Sequence, residues 1–179
     1  MRLFVALPVP DEVRGAVATA VDPARREGRG LRWTRPEGWH LTVAFLGEVA
    51  DDRVAEVSGV VAAVAAPHPP LELSLGAAGR FGRRVLWVGV DDEPEGGVET
   101  LGADLQDSLA DAGLPVQQRR VHAHLTLARS GRSPVDDGAV AAVEVPAARW
   151  RVSELGLWRS HLGGGPARYE EVASAPLGA

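Results

Sequence analysis

Two short segments of the sequence repeat the same combination of chemically capable residues. GWHLTVAFLG covers 38–47 and HAHLTLARSG covers 122–131. Each contains His-Leu-Thr and continues through small and apolar residues to a glycine, which places His40 with Thr42 and His124 with Thr126. A single His-x-Thr arises often by chance, whereas two of them in matched surroundings indicate a shared role.

These four side chains are suited to chemistry at phosphorus. Residues two apart on a strand point to the same face, so each histidine would project together with its threonine. If two such strands face each other, one imidazole can accept a proton while its protonated partner donates one. The hydroxyls can donate hydrogen bonds to the oxygens of an anion. The pattern therefore predicts metal-free displacement at phosphorus; the plainer alternative is a duplicated structural strand with a solvated polar face.

Metal binding is a competing use of histidine. His122 lies two positions before His124 and could point into the same cleft. However, the sequence contains no HExxH pattern, no cysteine and no carboxylate at ligand-like spacing near these histidines. We therefore expect neither a metal nor another cofactor, and we assign His68, His122 and His161 to surface or supporting positions.

Hydrophobic periodicity predicts that strands and helices are mixed throughout the chain. Strands are predicted at 2–8, 31–36, 39–47, 71–82, 83–91, 121–129, 149–160 and 167–172, and helices at about 11–26, 51–66, 98–112 and 135–143. Loops are predicted at 27–30 and 163–166. Several adjacent strand pairs favour an α+β fold with largely antiparallel sheets over a doubly wound parallel sheet. The two His-x-Thr segments lie almost half a chain apart, which suggests an internal duplication into two similar lobes.

Composition limits the classes of function. The chain has 179 residues, 45% of them hydrophobic, and a net charge of −5. It has no cysteine, which excludes thiolate chemistry, and all 19 basic residues are arginine, which excludes ligases that work through a lysyl adduct. Any phosphate held by side-chain charge is held by arginine, which can grip it with two hydrogen bonds. No apolar run is long enough for a membrane span or a secretion signal, so we expect a cytoplasmic protein.

Longer stretches around these residues resemble a known family. RLFVALPVPDEVR, LRWTRPEGWHLTVAFLGEV, VLWVGV, HLTLAR and ELGLWRS, with Tyr169 beyond them, are similar to segments of the 2H phosphoesterase superfamily. Within it, the chain resembles the RNA 2′,3′-cyclic phosphodiesterases, also called 2′-5′ RNA ligases. The likeness runs from residue 2 to about 170. One departure is Ala123, where relatives commonly carry a proline.

The resemblance implies a single domain over 1–179, made of two pseudo-symmetric lobes with sheets facing a central groove and helices outside. It implies metal-free hydrolysis of RNA 2′,3′-cyclic phosphate ends to 2′-phosphomonoesters, with reversible 2′-5′ joining of tRNA halves. By the same likeness, His40 donates a proton to the departing 3′ oxygen and His124 activates water. Thr42 and Thr126 bind the phosphate, and the protein acts on RNA as a monomer.

Further substrate contacts are expected around the two segments. Phe45 and Arg129 each follow a motif histidine by five residues. Simple alternation places both on the opposite strand face, unless, for Phe45, the strand ends or bulges there. Phe45 is either a core residue or a base-stacking one, and Arg129 near its strand end is the better candidate for a ligand contact. Other arginines are expected to rim the groove: Arg32, Arg35, Arg80, Arg83, Arg84, Arg119 and Arg120.

Two other functions stay open on the sequence alone. One is a related phosphoesterase that acts on a small cyclic nucleotide or an ADP-ribose cyclic phosphate. The other is a non-catalytic RNA-binding module, although binding alone does not need two proton-transfer groups.

Overall fold

The computed structural model of the protein describes residues 1–26, 30–161 and 168–178. Its strands are β1 Arg2–Leu7, β2 Arg32–Trp33, β3 Leu41–Glu48, β4 Leu71–Phe81, β5 Val85–Glu93, β6 His124–Arg129, β7 Arg149–Val152, β8 Glu154–His161 and β9 Arg168–Pro176. Its helices are α1 Asp11–Arg26, α2 Val54–Ala65, α3 Gly97–Asp111 and α4 Asp137–Ala141. The predicted loops at 27–30 and 163–166 lie mostly or wholly outside the described residues.

The strands form two antiparallel sheets. The first has the order β3-β1-β8-β9 and carries the His40 segment. The second has the order β2-β6-β5-β4-β7 and carries the His124 segment. Every paired strand in both sheets runs antiparallel to its neighbour. The predicted α+β fold with two antiparallel sheets is therefore confirmed.

The helices pack their apolar stripes against these sheets. In α1 the buried residues Val13, Val17 and Val21 recur every four positions and so lie on one face. Helix α3 buries Leu101, Leu105 and others in the same way. Among the described residues, no helix is both long and apolar enough to cross a bilayer.

Some element boundaries differ from the prediction. The strand expected at 31–36 is only β2, because Pro36 begins a short 3₁₀ turn over Pro36–Gly38 and proline cannot donate to a sheet ladder. Strand β6 starts at His124 rather than at residue 121. Trp39, directly before the first motif histidine, lies in the core and is 1% exposed.

Strand β3 is interrupted by a bulge directly after its motif threonine. Thr42 pairs with Ala6 and Ala44 pairs with Val5, which leaves Val43 as an extra residue in β3. An inserted residue reverses the alternation of side chains beyond it.

Strand β6 carries the same irregularity at the equivalent place. Thr126 pairs with Trp87 and Ala128 pairs with Leu86, which leaves Leu127 unmatched. Both bulges fall on the third residue after a motif histidine. Each motif strand, with its histidine and threonine, is here called a half-site. The two half-sites therefore share a backbone irregularity as well as a sequence pattern.

Candidate active site

The two motif segments line one groove between the sheets, with a volume of about 460 Å³. All six residues predicted from the sequence contribute to its wall: His40, Thr42, Phe45, His124, Thr126 and Arg129. Simple alternation would turn Phe45 and Arg129 away from the histidines, but both strands carry the kind of bulge that was left open for Phe45. The bulges at Val43 and Leu127 return both side chains to the groove face.

His40 lies at the entry to β3, between two aromatic rings. Its ring centroid is 4.6 Å from that of Phe4 and 4.9 Å from that of Tyr169. Gly38 makes this packing possible, since a Cβ there would lie 3.2 Å from the Tyr169 ring. Burial lowers the pKa of His40 to about 4, and the neighbouring charge of His124 adds to this, while a hydrogen bond with the Gly38 backbone opposes it. His40 is therefore neutral at pH 7.

The His124 ring is held by a hydrogen bond to the backbone two residues earlier. Its Nδ1–H donates to the carbonyl oxygen of His122, which leaves Nε2 as the hydrogen-bond acceptor of a neutral ring. Burial lowers the pKa of His124, the hydrogen bond with the His122 backbone opposes this, and the neighbouring His122, Arg119 and Arg129 lower the pKa further. Each motif histidine is thus hydrogen-bonded to the backbone of the residue two positions earlier. Among the described residues that line the groove, no carboxylate is present to stabilise the protonated form of either ring.

The groove is electropositive although the molecule is acidic. Its wall contains Arg119, Arg120 and Arg129, and none of the described residues that line it is a carboxylate. An anion in the groove would meet guanidinium and imidazole groups without opposing acidic side chains. The net charge of −5 is carried elsewhere on the surface.

Of the seven arginines expected to rim the groove, Arg119 and Arg120 form part of its wall, whereas the other five are not among the residues that line the wall. Arg80 instead pairs with Asp137 at 2.8 Å, and Arg32 donates to the carbonyl oxygen of Ser130. Arg120 is itself bound by both oxygens of Glu99. The location of an arginine at a turn or strand end therefore does not by itself predict that the arginine lines the groove.

Gln106 on α3 is a groove residue that the sequence analysis missed. It is 5% exposed, its Nε2 donates to the carbonyl oxygen of Val43 at 3.0 Å, and its Oε1 accepts from the backbone N–H of Arg119 at 2.8 Å. It therefore joins the bulge of the first motif strand to the segment that leads into the second. A polar residue in the apolar stripe of a predicted helix was the available signal.

Phe81, at the end of β4, was also missed. Its ring centroid lies 4.9 Å from that of His124, at 89° to it, and the side chain is 38% exposed. The only sequence signal was an aromatic residue within the Gly- and Arg-rich stretch GRFGRR.

Two of the three remaining histidines have acidic partners, whereas His122, expected at a surface or supporting position, is exposed and lines the groove beside His124. His68 contacts Asp104 at 3.0 Å and His161 contacts Glu170 at 2.8 Å. Within the described part of the chain, no group of three or more His, Asp or Glu residues is arranged to hold a metal ion. Chemistry in this groove therefore has imidazole, hydroxyl and guanidinium groups to draw on.

Comparison with known proteins gives consistent matches. The model of the 2′-5′ RNA ligase superfamily matches residues 9–164. A protein of Geobacillus stearothermophilus named RNA 2′,3′-cyclic phosphodiesterase is 29% identical over 97% of this chain, which spans 56% of that relative's length. One of the same name from Escherichia coli is 31% identical, with 94% of this chain and 92% of the relative covered. The crystal structure of E. coli LigT complexed with 3′-AMP superposes with a TM-score of 0.77 at 28% identity, covering 98% of this chain and 97% of LigT.

Proposed function

Because this chain belongs to the 2′-5′ RNA ligase superfamily, among the RNA 2′,3′-cyclic phosphodiesterases, we propose that it hydrolyses 2′,3′-cyclic phosphate ends of RNA to 2′-phosphomonoesters. The observation that carries the proposal is the pair of equally anchored histidines, His40 and His124, in one carboxylate-free groove. Each is accompanied by its threonine, which supports reaction at a phosphate rather than binding alone.

The reaction requires one proton to be removed and one to be supplied. His124 Nε2 accepts a proton from water, whose oxygen attacks phosphorus. The bond from phosphorus to the 3′ oxygen breaks, and His40 protonates that oxygen, leaving a 2′-phosphate and a free 3′-hydroxyl. Thr42 and Thr126 donate hydrogen bonds to the non-bridging oxygens, which carry more negative charge in the transition state. Arg129 adds positive charge beside them.

The low pKa of His40 has to be raised before it can act as the acid. The substrate supplies the cause, since a cyclic phosphate carries one negative charge and the groove offers no other. Binding of the anion favours the protonated form of a neighbouring imidazole. His124 keeps its acceptor nitrogen available because its Nδ1–H is occupied by the His122 carbonyl oxygen. This division of roles follows the family resemblance.

Other properties belong to the same proposal. Water and an RNA 5′-hydroxyl are alternative nucleophiles at the same phosphorus. Attack by a 5′-hydroxyl in place of water, with departure of the 3′ oxygen, would join tRNA halves through a 2′-5′ link, and that step is reversible. We also propose a monomer in the cytoplasm that needs no cofactor. Size-exclusion chromatography and cell fractionation test the monomer and its location.

The decisive experiment is incubation of the protein with an RNA that ends in a 2′,3′-cyclic phosphate, in the presence of EDTA. We expect a product with its phosphate on the 2′ oxygen. Enzymes that need a free 2′-hydroxyl for ligation or digestion cannot act on this product, and its resistance to them identifies it. A 3′-phosphate product would contradict the assigned direction of opening. Loss of turnover in EDTA that a divalent metal restores would contradict the metal-free mechanism.

A further inference from the structure

The turn between β4 and β5 projects a short basic segment at the groove rim. Phe81, Gly82, Arg83 and Arg84, here called the 81–84 hairpin, are all exposed. The Arg84 N–H donates to the Phe81 carbonyl oxygen at 3.1 Å, and Gly82 adopts a φ of +54° that favours glycine. Phe81 and the next strand residue, Val85, line the groove. The hairpin therefore begins inside the groove and extends beyond it.

The Phe81 ring is held from one side. Its centroid is 5.2 Å from that of Trp87, 5.2 Å from that of His122 and 4.9 Å from that of His124. Among the described residues, Phe81 is the large hydrophobic side chain that is exposed, at 38%. An aromatic ring supported in this way beside a phosphate site offers a surface on which a nucleobase can stack.

The backbones of Arg83 and Arg84 are held by hydrogen bonds, whereas their guanidinium groups are not held in this way within the described part of the chain. The Arg83 carbonyl oxygen accepts from the N–H of Val135, and that of Arg84 accepts from the N–H of Ser130. Among the residues that the structure describes, neither guanidinium has an ion pair or side-chain hydrogen bond. Arg80 and Arg120, by contrast, are paired with carboxylates. Two available cations next to an exposed ring match the way proteins bind single-stranded nucleic acid.

Resting on the proposed function, we infer that the 81–84 hairpin binds the nucleotide that precedes the cyclic phosphate end. Phe81 stacks on its base, while Arg83 and Arg84, which lie outside the groove wall, pair with the phosphates upstream. A cyclic mononucleotide has neither that base nor those phosphates. The substrate class is therefore an oligoribonucleotide end rather than a small cyclic nucleotide.

The test compares kcat/KM for a short RNA ending in a cyclic phosphate with kcat/KM for the matching cyclic mononucleotide. The ratio cancels any effect of a variant on His124 itself. We expect the wild-type ratio to exceed one and Phe81→Ala to lower it roughly tenfold, the usual size of one base–aromatic stack. Phe81→Trp, which keeps a stacking surface, should retain the wild-type ratio. An unchanged ratio in Phe81→Ala overturns the assignment of the ring.

The arginines are tested by salt dependence. Each phosphate contact with a single strand contributes about 0.7 to the slope of log Kobs against log salt, so Arg83→Ala/Arg84→Ala should lower that slope by about 1.4 for RNA binding. Arg149→Ala/Arg151→Ala removes the same charge from β7, away from the groove, and should leave the slope unchanged. Equal slopes in both double variants overturn the role of the hairpin. If the wild type turns over neither substrate, the proposed function fails instead.

Discussion

The two motif histidines share a sequence pattern and a backbone hydrogen bond two residues earlier, but their neighbours differ and they are assigned opposite tasks. Replacing either His40 or His124 with alanine should lower kcat by about 10²–10⁴, the usual contribution of a general acid or base. The double variant should be little worse than either single one, because the pair works as a unit.

His68→Ala serves as the control, since that ring contacts Asp104 away from the groove. Single-turnover rates on a cyclic phosphate substrate measure all four proteins. Additive losses in the double variant would contradict the coupled mechanism. A substrate with a better 3′ leaving group should rescue His40→Ala but not His124→Ala; the reverse result would exchange the two roles.

The low pKa values of the two histidines set the pH dependence of the reaction. kcat/KM reports groups in the free enzyme, where the pKa of His40 is about 4 and that of His124 is also lowered. Above both values the proton needed by the leaving group is increasingly absent, so kcat/KM should fall as pH rises through neutrality. The kcat profile should lie at higher pH, because the bound anion raises the pKa of the acid. A kcat/KM that stays level from pH 6 to pH 8 (roughly the range where free imidazole loses its proton) would contradict this.

The threonines test whether the hydroxyls face the phosphate. Thr42→Ala and Thr126→Ala should each lower kcat by on the order of 10²–10³, since each removes one transition-state donor. Thr→Ser at the same positions keeps the hydroxyl and should retain most of the rate. If both alanine variants keep wild-type rates, the hydroxyls do not contact the reacting group.

At the scale of elements, α3 fixes the spacing between the two half-sites through Gln106. Gln106→Leu removes both of its hydrogen bonds and leaves the Val43 carbonyl and the Arg119 N–H without partners, each costing about 1–3 kcal/mol of stability. We expect a lower melting temperature and a lower kcat. Gln118→Leu, which removes a long, exposed bond to Asp107, is the control.

Gln106→Glu separates positioning from mere stability. Its carboxylate can accept from the Arg119 N–H, but it can donate to the Val43 carbonyl oxygen only when it is protonated. The ratio of its kcat to that of the wild type should therefore rise as the pH falls. A ratio that does not change with pH would show that the bond to Val43 does not influence catalysis.

Most of the order of elements was predictable from the sequence, and the orientation of some side chains was not. The single strand predicted at 149–160 is in fact two strands, β7 and β8, which belong to different sheets. The helices follow from valines and leucines at helical spacing, and the motif strands from the alternation around His40 and His124. Simple alternation misplaced Phe45 and Arg129, because a bulge depends on how a strand pairs with its neighbour and leaves no mark in the strand itself. Gln106 escaped notice for a similar reason, since its two partners lie far away in the sequence. The internal duplication stays a prediction.

At the scale of the whole molecule, two opposing fields act on RNA. The net charge of −5 repels it, while the carboxylate-free groove attracts it. Salt at 0.1 M screens charges more than about 10 Å apart, so the distant acidic residues are weakened first and the contacts within the groove persist. Counterion release from those contacts should still make kcat/KM for RNA fall as salt rises.

The measurement is kcat/KM against ionic strength for the wild type and for Arg119→Gln. The variant should show the shallower dependence, because one groove cation is lost. A rate that rises with salt in the wild type would mean that the repulsion of the whole molecule outweighs the attraction of the groove.

The paired bulges determine which changes in length the two motif strands can accept during evolution. Exchanging Leu41 or Leu125 for another apolar residue keeps the motif histidine and Phe45 or Arg129 five positions apart, and so keeps the register. Deleting Val43 or Leu127 removes only the extra residue, so the pairs on either side of it become neighbours in a regular ladder and Phe45 or Arg129 stays on the groove face. Inserting one residue there without a second bulge would instead turn Phe45 or Arg129 to the opposite face. Each motif strand should therefore tolerate the loss of this one residue better than the gain of another, and relatives that gain one are expected to lose the substrate contact before the chemistry.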